Sequence, residues 1–135
     1  MNPATVMEEL ALVLDSVEGL KGRTFGYPPN ALVPPAAVVG WPDEGNNDVT
    51  AARGAWSVKF PLLIVVGKSD IRSARDTIGA YLDTAGPASV PAALDAGLSF
   101  AYDSALVTKW HVEPVSIAGI EYLAALLDVE ITGGQ

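Results

Sequence analysis

The chain has 135 residues, half of them hydrophobic and 18% charged, and its 16 acidic against 8 basic side chains leave a net charge of −8. That length suits one domain spanning 1–135, able to bury roughly two-thirds of its unfolded surface, and the composition excludes a disordered tail. The missing basic stripe excludes tight binding to a nucleic-acid backbone, and the missing cysteine excludes thiol catalysis, Cys-ligated zinc and iron–sulfur clusters.

Residues 3–18 have helical periodicity. Val6, Leu10, Val13, Leu14 and Val17 share one stripe, Glu8, Glu9, Asp15 and Glu18 take other positions, and Gly19 and Gly22 stop the run. Glu8 and Glu9 stand where a secretory signal would carry Lys or Arg, and no apolar run approaches the roughly 18 residues of a membrane span. The chain is therefore expected to be cytosolic, with neither export nor a membrane anchor. Four prolines within residues 26–35 predict an extended connector over the surface, because proline brings no ladder donor and biases its predecessor away from helix.

A short strand is predicted at 36–41, then a polar loop over 42–53 whose Asp/Asn cluster lacks the spacing and closing Glu of an EF-hand. In the long strand predicted over 54–66, Trp56, Val58, Phe60, Leu62 and Ile64 alternate with Ser57, Lys59 and Pro61 before the sequence turns apolar on both sides. Its first half is expected to be half-exposed and its second half buried. Pro61 marks an edge position, or a bulge where the strand changes partner.

Gly67-Lys68-Ser69 has the last letters of a phosphate-binding loop, but Leu62 stands where that loop needs its first glycine and strand residues fill the interval. Gly67 is instead expected to break the strand and Ser69 to cap a helix over 69–85. That helix has Ile71, Ala74, Ile78, Tyr81 and Leu82 as its stripe, Arg72 and Asp76 as an ion pair, Asp70 in its first turn, and Gly86-Pro87 as its end. A second helix starts at Ser89 with Pro91 in its first turn and runs to Gly97. Residues 105–117 and 120–132 are predicted to form a hairpin about Ala118-Gly119, although 121–129 has helical propensity. Leu106, Thr108, Trp110, Val112 and Pro114 alternate there with Val107, Lys109, His111, Glu113 and Val115.

The single histidine, His111, has Glu113 as same-face neighbour and no nucleophile motif, the pattern of a solvated pair. Glu8/Glu9 and Asp43/Glu44 are adjacent in sequence and do not face one another on regular structure. Trp41, Trp56 and Trp110 invite a ligand pocket, yet strand tryptophans more often pack over a helix. The residues predict no enzyme, no cofactor and no metal.

Two stretches resemble a known family. The first runs from Leu62 to Leu94: a strand ending Val65-Val66-Gly67, Ser69-Asp70 and Ala74-Arg75-Asp76 leading to Tyr81-Leu82, then Gly86-Pro87-Ala88-Ser89-Val90 and Ala93-Leu94. The second is Trp110-His111-Val112 followed by Ile117-Ala118-Gly119-Ile120-Glu121-Tyr122-Leu123 and Ala125-Leu126-Leu127-Asp128-Val129. Together these resemble tail terminator proteins of long-tailed actinobacteriophages, of the lambda-type family. The resemblance implies an α+β fold: a mixed, largely antiparallel sheet, an N-terminal helix and two central helices on one face, and a C-terminal hairpin. It also implies a structural virion protein at the head–tail junction, assembled in the host cytoplasm. A homohexameric ring would cap the tail tube, stop its polymerisation and offer a docking face to a head–tail connector protein. DNA would pass through the lumen without specific binding. Asp43, Glu44 and Asp48 of the polar 42–53 loop, which no family motif marks, are the interface or lumen candidates. The alternatives are a neighbouring head-closure or tail-completion connector, or a cytosolic small-molecule-binding domain.

Overall fold

The computed structural model describes residues 2–26, 33–42, 45–47, 56–68, 72–97, 99–117 and 119–133. Along them run α1 (Pro3–Leu14), β1 (Thr24–Phe25), β2 (Ala36–Val39), β3 (Gly45–Asn47), β4 (Trp56–Lys68), α2 (Arg72–Leu82), α3 (Val90–Ala96), β5 (Ser104–Ile117) and β6 (Ile120–Gly133). The strands form one sheet ordered β1-β2-β4-β6-β5, with β3 beside the start of β4. Only β1–β2 is parallel, so the sheet is mixed and the class is α+β, as expected.

Asn2 starts α1 by accepting the Ala4 N–H on Oδ1 at 3.0 Å, and Pro3 occupies the first turn, where its missing donor costs nothing. The helix ends at Leu14, four residues before the expected 18. The apolar periodicity outlasts it because tight turns deliver the next two core residues. Val17 N–H donates to Leu14 C=O and Leu20 N–H to Val17 C=O, both at 3.0 Å, and both side chains are buried. Asp15 Oδ1 accepts the Gly22 N–H at 2.6 Å, drawing the chain back toward β1. Neither β1 nor β3 is evident from sequence. Gly45–Asn47 pairs with Trp56, Ser57 and Val58, inside what was expected to be loop.

Strand β4 changes partner at Pro61, as expected, but without the bulge expected there. β2 pairs with β4 at 62–65 and β3 at 56–58, so Pro61 falls in the gap between the two partners. Gly40 N–H donates to Pro61 C=O at 2.7 Å, so the proline's missing N–H also points into that gap. The bulge itself lies further on, between Val65 and Gly67.

The Ser69 cap, Asp70, Ile71 and the Arg72 side chain fall outside the described residues, and with them the expected ion pair to Asp76. Helix α2 buries Ala74, Ile78 and Tyr81 and ends at Leu82, short of the expected 85. Past it, Ser89 Oγ donates to Asp83 C=O at 2.5 Å and accepts the Ala92 N–H at 3.0 Å, joining the α2 exit to the α3 cap. Ser89 is buried, and α3 follows the predicted boundaries, with Pro91 in its first turn and Gly97 at its end.

One face of the sheet carries the core. Ala37 and Val39 of β2, Val58, Phe60, Leu62 and Ile64 of β4, and Ala125, Leu127, Val129 and Ile131 of β6 join Leu10 and Leu14 of α1, Ile78 of α2 and Leu94 of α3 in one cluster. Full burial of each Val, Leu, Ile or Phe among them contributes about 1.5–3 kcal/mol. On the opposite face Lys59 and Pro61 are exposed, while Leu63 and Leu126 are half-buried.

Candidate functional site

Strand β6 lies between β4 and β5, so 121–129 is strand despite its helical propensity: flanking ladders on both edges outweigh it. Strand β5 pairs only with β6 among the described residues, leaving a long outer edge open along the sheet margin. The register shifts between Val107 and Lys109, so Thr108 is an extra residue. Its hydroxyl donates to Asp128 C=O at 3.2 Å.

That bulge corrects the strict alternation expected along 105–117. Leu106, opposite Glu130, lies on the face away from the helices, whereas Trp110 and Val112, opposite the core residues Leu127 and Ala125, lie on the helix-bearing face. All three are nonetheless exposed, Leu106 at 61% and Trp110 at 54%. Trp110 thus lacks the helix cover expected for it. Trp56 lies across Gly133, its cross-strand partner, and Trp41 faces solvent. The three tryptophans therefore serve three separate places.

Further apolar exposure lies toward the helical layer. Leu12 projects from α1 into a shallow groove it shares with Glu9, Val13, Ser16 and Gly97. Ser99 Oγ donates to Glu9 Oε1 at 3.1 Å and holds the α3–β5 connection against α1; the next residue, Phe100, is 87% exposed.

The polar groups of β5 are those of a solvated surface. His111 Nε2 lies 3.3 Å from Glu113 Oε1, and Lys109 Nζ lies 3.5 Å from Asp128 Oδ2, with all four side chains substantially exposed. The histidine–glutamate pair has the geometry expected from its spacing. No three His, Asp or Glu side chains gather at metal-binding distances among the described residues. No helix among them is long and apolar enough to cross a membrane. Asp43, Glu44 and Asp48 lie outside the described residues.

Burial raises the pKa of the Tyr81 hydroxyl, with Arg23 opposing and Glu18 adding to the effect. Burial also raises that of Tyr102, and Glu9 adds to it. These two phenols are interior packing groups, remote in role from the exposed strand.

The arrangement offers contact chemistry: a sheet edge with no partner strand among the described residues, flanked by exposed apolar side chains and by Lys109 and Glu113. One signal for it stands in the sequence, since Pro114 within a strand of polar and aromatic residues marks an edge. No protein-family model matches the chain, and no curated protein matches it either.

Proposed function

We propose that the protein is a tail terminator, a ring-forming structural protein that caps the tail tube of a long-tailed phage at the head–tail junction. The observation that carries this is the exposure of large apolar side chains at separate places, Leu12 with Phe100 beside the helical layer and Trp110 with Val112 on the helix-bearing face of β5. Exposed apolar side chains that stand together, as Trp110 and Val112 do on one face of β5, favour association. A ring closes by heterologous contacts, which need two different surfaces on one subunit, and a single self-complementary patch does not provide them. The order of elements, an N-terminal helix, a mixed sheet and two helices on its core face, agrees with the architecture the resemblance implies. Its partners are copies of itself, the tail tube protein and a head–tail connector protein, and it makes or breaks no covalent bond.

Charge supports the same function. Six copies carry six times the chain's −8, roughly −48, and acidic groups about a lumen repel a DNA backbone, which then slides through without being held.

The test adds the purified chain to polymerising tail-tube subunits and measures tube length by electron microscopy. Tubes that stop short, with a ring of extra density at one end, are the expected result. Growth to the same unlimited length with and without the chain removes terminator function.

A further inference from the structure

We propose that the open edge of β5 pairs with the same edge of a second copy of this chain, antiparallel, about a two-fold axis through His111. The backbone decides which residues face outward. The Gly40 N–H bond to Pro61 C=O shows that odd-numbered residues of β4 up to Val65 direct their backbone groups toward β2. Even-numbered residues of β4 therefore bond to β6, through the pairs Leu62↔Leu127 and Ile64↔Ala125, and the even-numbered residues of β6 turn to β5. Asp103 N–H donating to Thr132 C=O at 2.8 Å agrees. Lys109, His111 and Glu113, opposite Asp128, Leu126 and Ala124, thus use their backbone groups on β6. Trp110 and Val112 direct theirs outward, and Pro114 offers only a carbonyl.

One antiparallel register suits these groups. Centred on His111, it sets Trp110 opposite the second copy's Val112, and Val112 opposite its Trp110. These are two hydrogen-bonded pairs, each joining an aromatic to a β-branched residue on the same face. On the other face Lys109 meets Glu113 of the second copy, and the symmetry repeats that pair. A slip of two residues toward the turn puts Trp110 opposite Pro114 and forfeits a donor. The opposite slip sets Lys109 against His111 and leaves Glu113 facing Val107. The bulge at Thr108 and the proline at 114 face each other across the preferred register and bound the ladder at both ends.

The chain is strongly acidic as a whole, yet this edge carries Lys109 and Glu113 on either side of His111, one charge of each sign, and so matches itself when reversed. Charge complementarity therefore singles out a second copy as the occupant. A two-fold edge contact is isologous and builds no ring, so it competes with any ring contact made through β5 and describes the protein away from the tube. It is measured on the protein alone and does not depend on the terminator function.

The test is sedimentation velocity of the full chain at about 0.15 M salt, over a concentration series. The samples are the wild type, Lys109→Glu, Glu113→Lys, an equimolar mixture of the two, and the double variant K109E/E113K. Circular dichroism first establishes that each exposed substitution leaves the fold intact. The wild type is expected to dimerise reversibly, and each single reversal to weaken the dimer roughly tenfold or more, since two attracting pairs become repelling ones. The mixture and the double variant should recover it, because reversed charges again meet opposite ones. The proposal is overturned by a wild type monomeric throughout, by single variants that associate as the wild type does, or by a mixture no tighter than its components. A larger oligomer indifferent to both reversals overturns it as well.

Discussion

The Tyr102 hydroxyl is buried with no hydrogen-bond partner among the described residues. An unsatisfied buried hydroxyl costs on the order of 1–3 kcal/mol. Tyr102→Phe removes it while keeping the ring, so the urea midpoint should stay level or rise by up to about 1 kcal/mol of stability. Alkaline pH is expected to act through the same residue. Tyr81 and Tyr102 both titrate above the free value of 10.0, so the unfolded chain releases these protons first as the pH rises. Their contribution is complete below that value and falls above it. Urea midpoints should therefore begin to drop as the pH passes about 10, the ordinary tyrosine value, and less steeply in Tyr102→Phe. An unchanged slope in the variant would show that its phenol has no part in the loss. The sequence places Tyr81 on the α2 stripe and leaves Tyr102 without a role. Only tertiary packing decides that a phenol between α3 and β5 finds no acceptor.

Helices α1 and α3 meet without a spacer. A Cβ added at Gly97 would stand 2.5 Å from Val13 Cγ1, with the α3 backbone close behind. Gly97→Ala is accordingly expected to cost about 1–3 kcal/mol. Val13→Ala in the same chain should return part of that loss, a coupling read from a double-mutant cycle of urea midpoints. Independent, additive losses would mean that the two helices do not touch there. Gly97 was read from sequence only as the stop of α3, and that role is correct. Its second role, letting α1 approach, depends on a helix more than eighty positions away and leaves no local trace. The same limit explains the other differences at this scale. α1 was read too long because Val17 and Leu20 keep the apolar period through turns. β1 and β3 were missed because strands of two and three residues show no alternation. The shift at Thr108 was missed because a bulge is written in the opposing strand as much as in its own. α3 and the β5–β6 pair were legible almost to the residue, whereas Gly67 does not break β4 as expected: the strand absorbs it in a bulge and stays paired with β6 through Lys68.

At the scale of the whole molecule, net charge opposes the self-association that exposed apolar surface favours. In the proposed ring, chains each carrying −8 would repel one another, and raising salt from about 0.01 to about 0.15 M shortens the screening length from about 30 to about 8 Å. Ring formation on tube ends should therefore strengthen over that range, scored as the fraction of capped tubes by electron microscopy. Weaker capping at the higher salt would assign the contact to ion pairs. The class of the fold could be read in advance because it follows from the order and period of the elements. The exposed apolar surface could not, because exposure at Leu12, Phe100 and Trp110 depends on where the layers end. The strand order has a further consequence, for synthesis on the ribosome. β4 is made early, yet its β6 neighbour, which also supports β5, is encoded at 120–133. A nascent chain therefore keeps an apolar strand half-paired until that segment clears the exit tunnel. Loss of the segment by a premature stop would split the sheet through its middle, and such a product would be a substrate for chaperones and proteases.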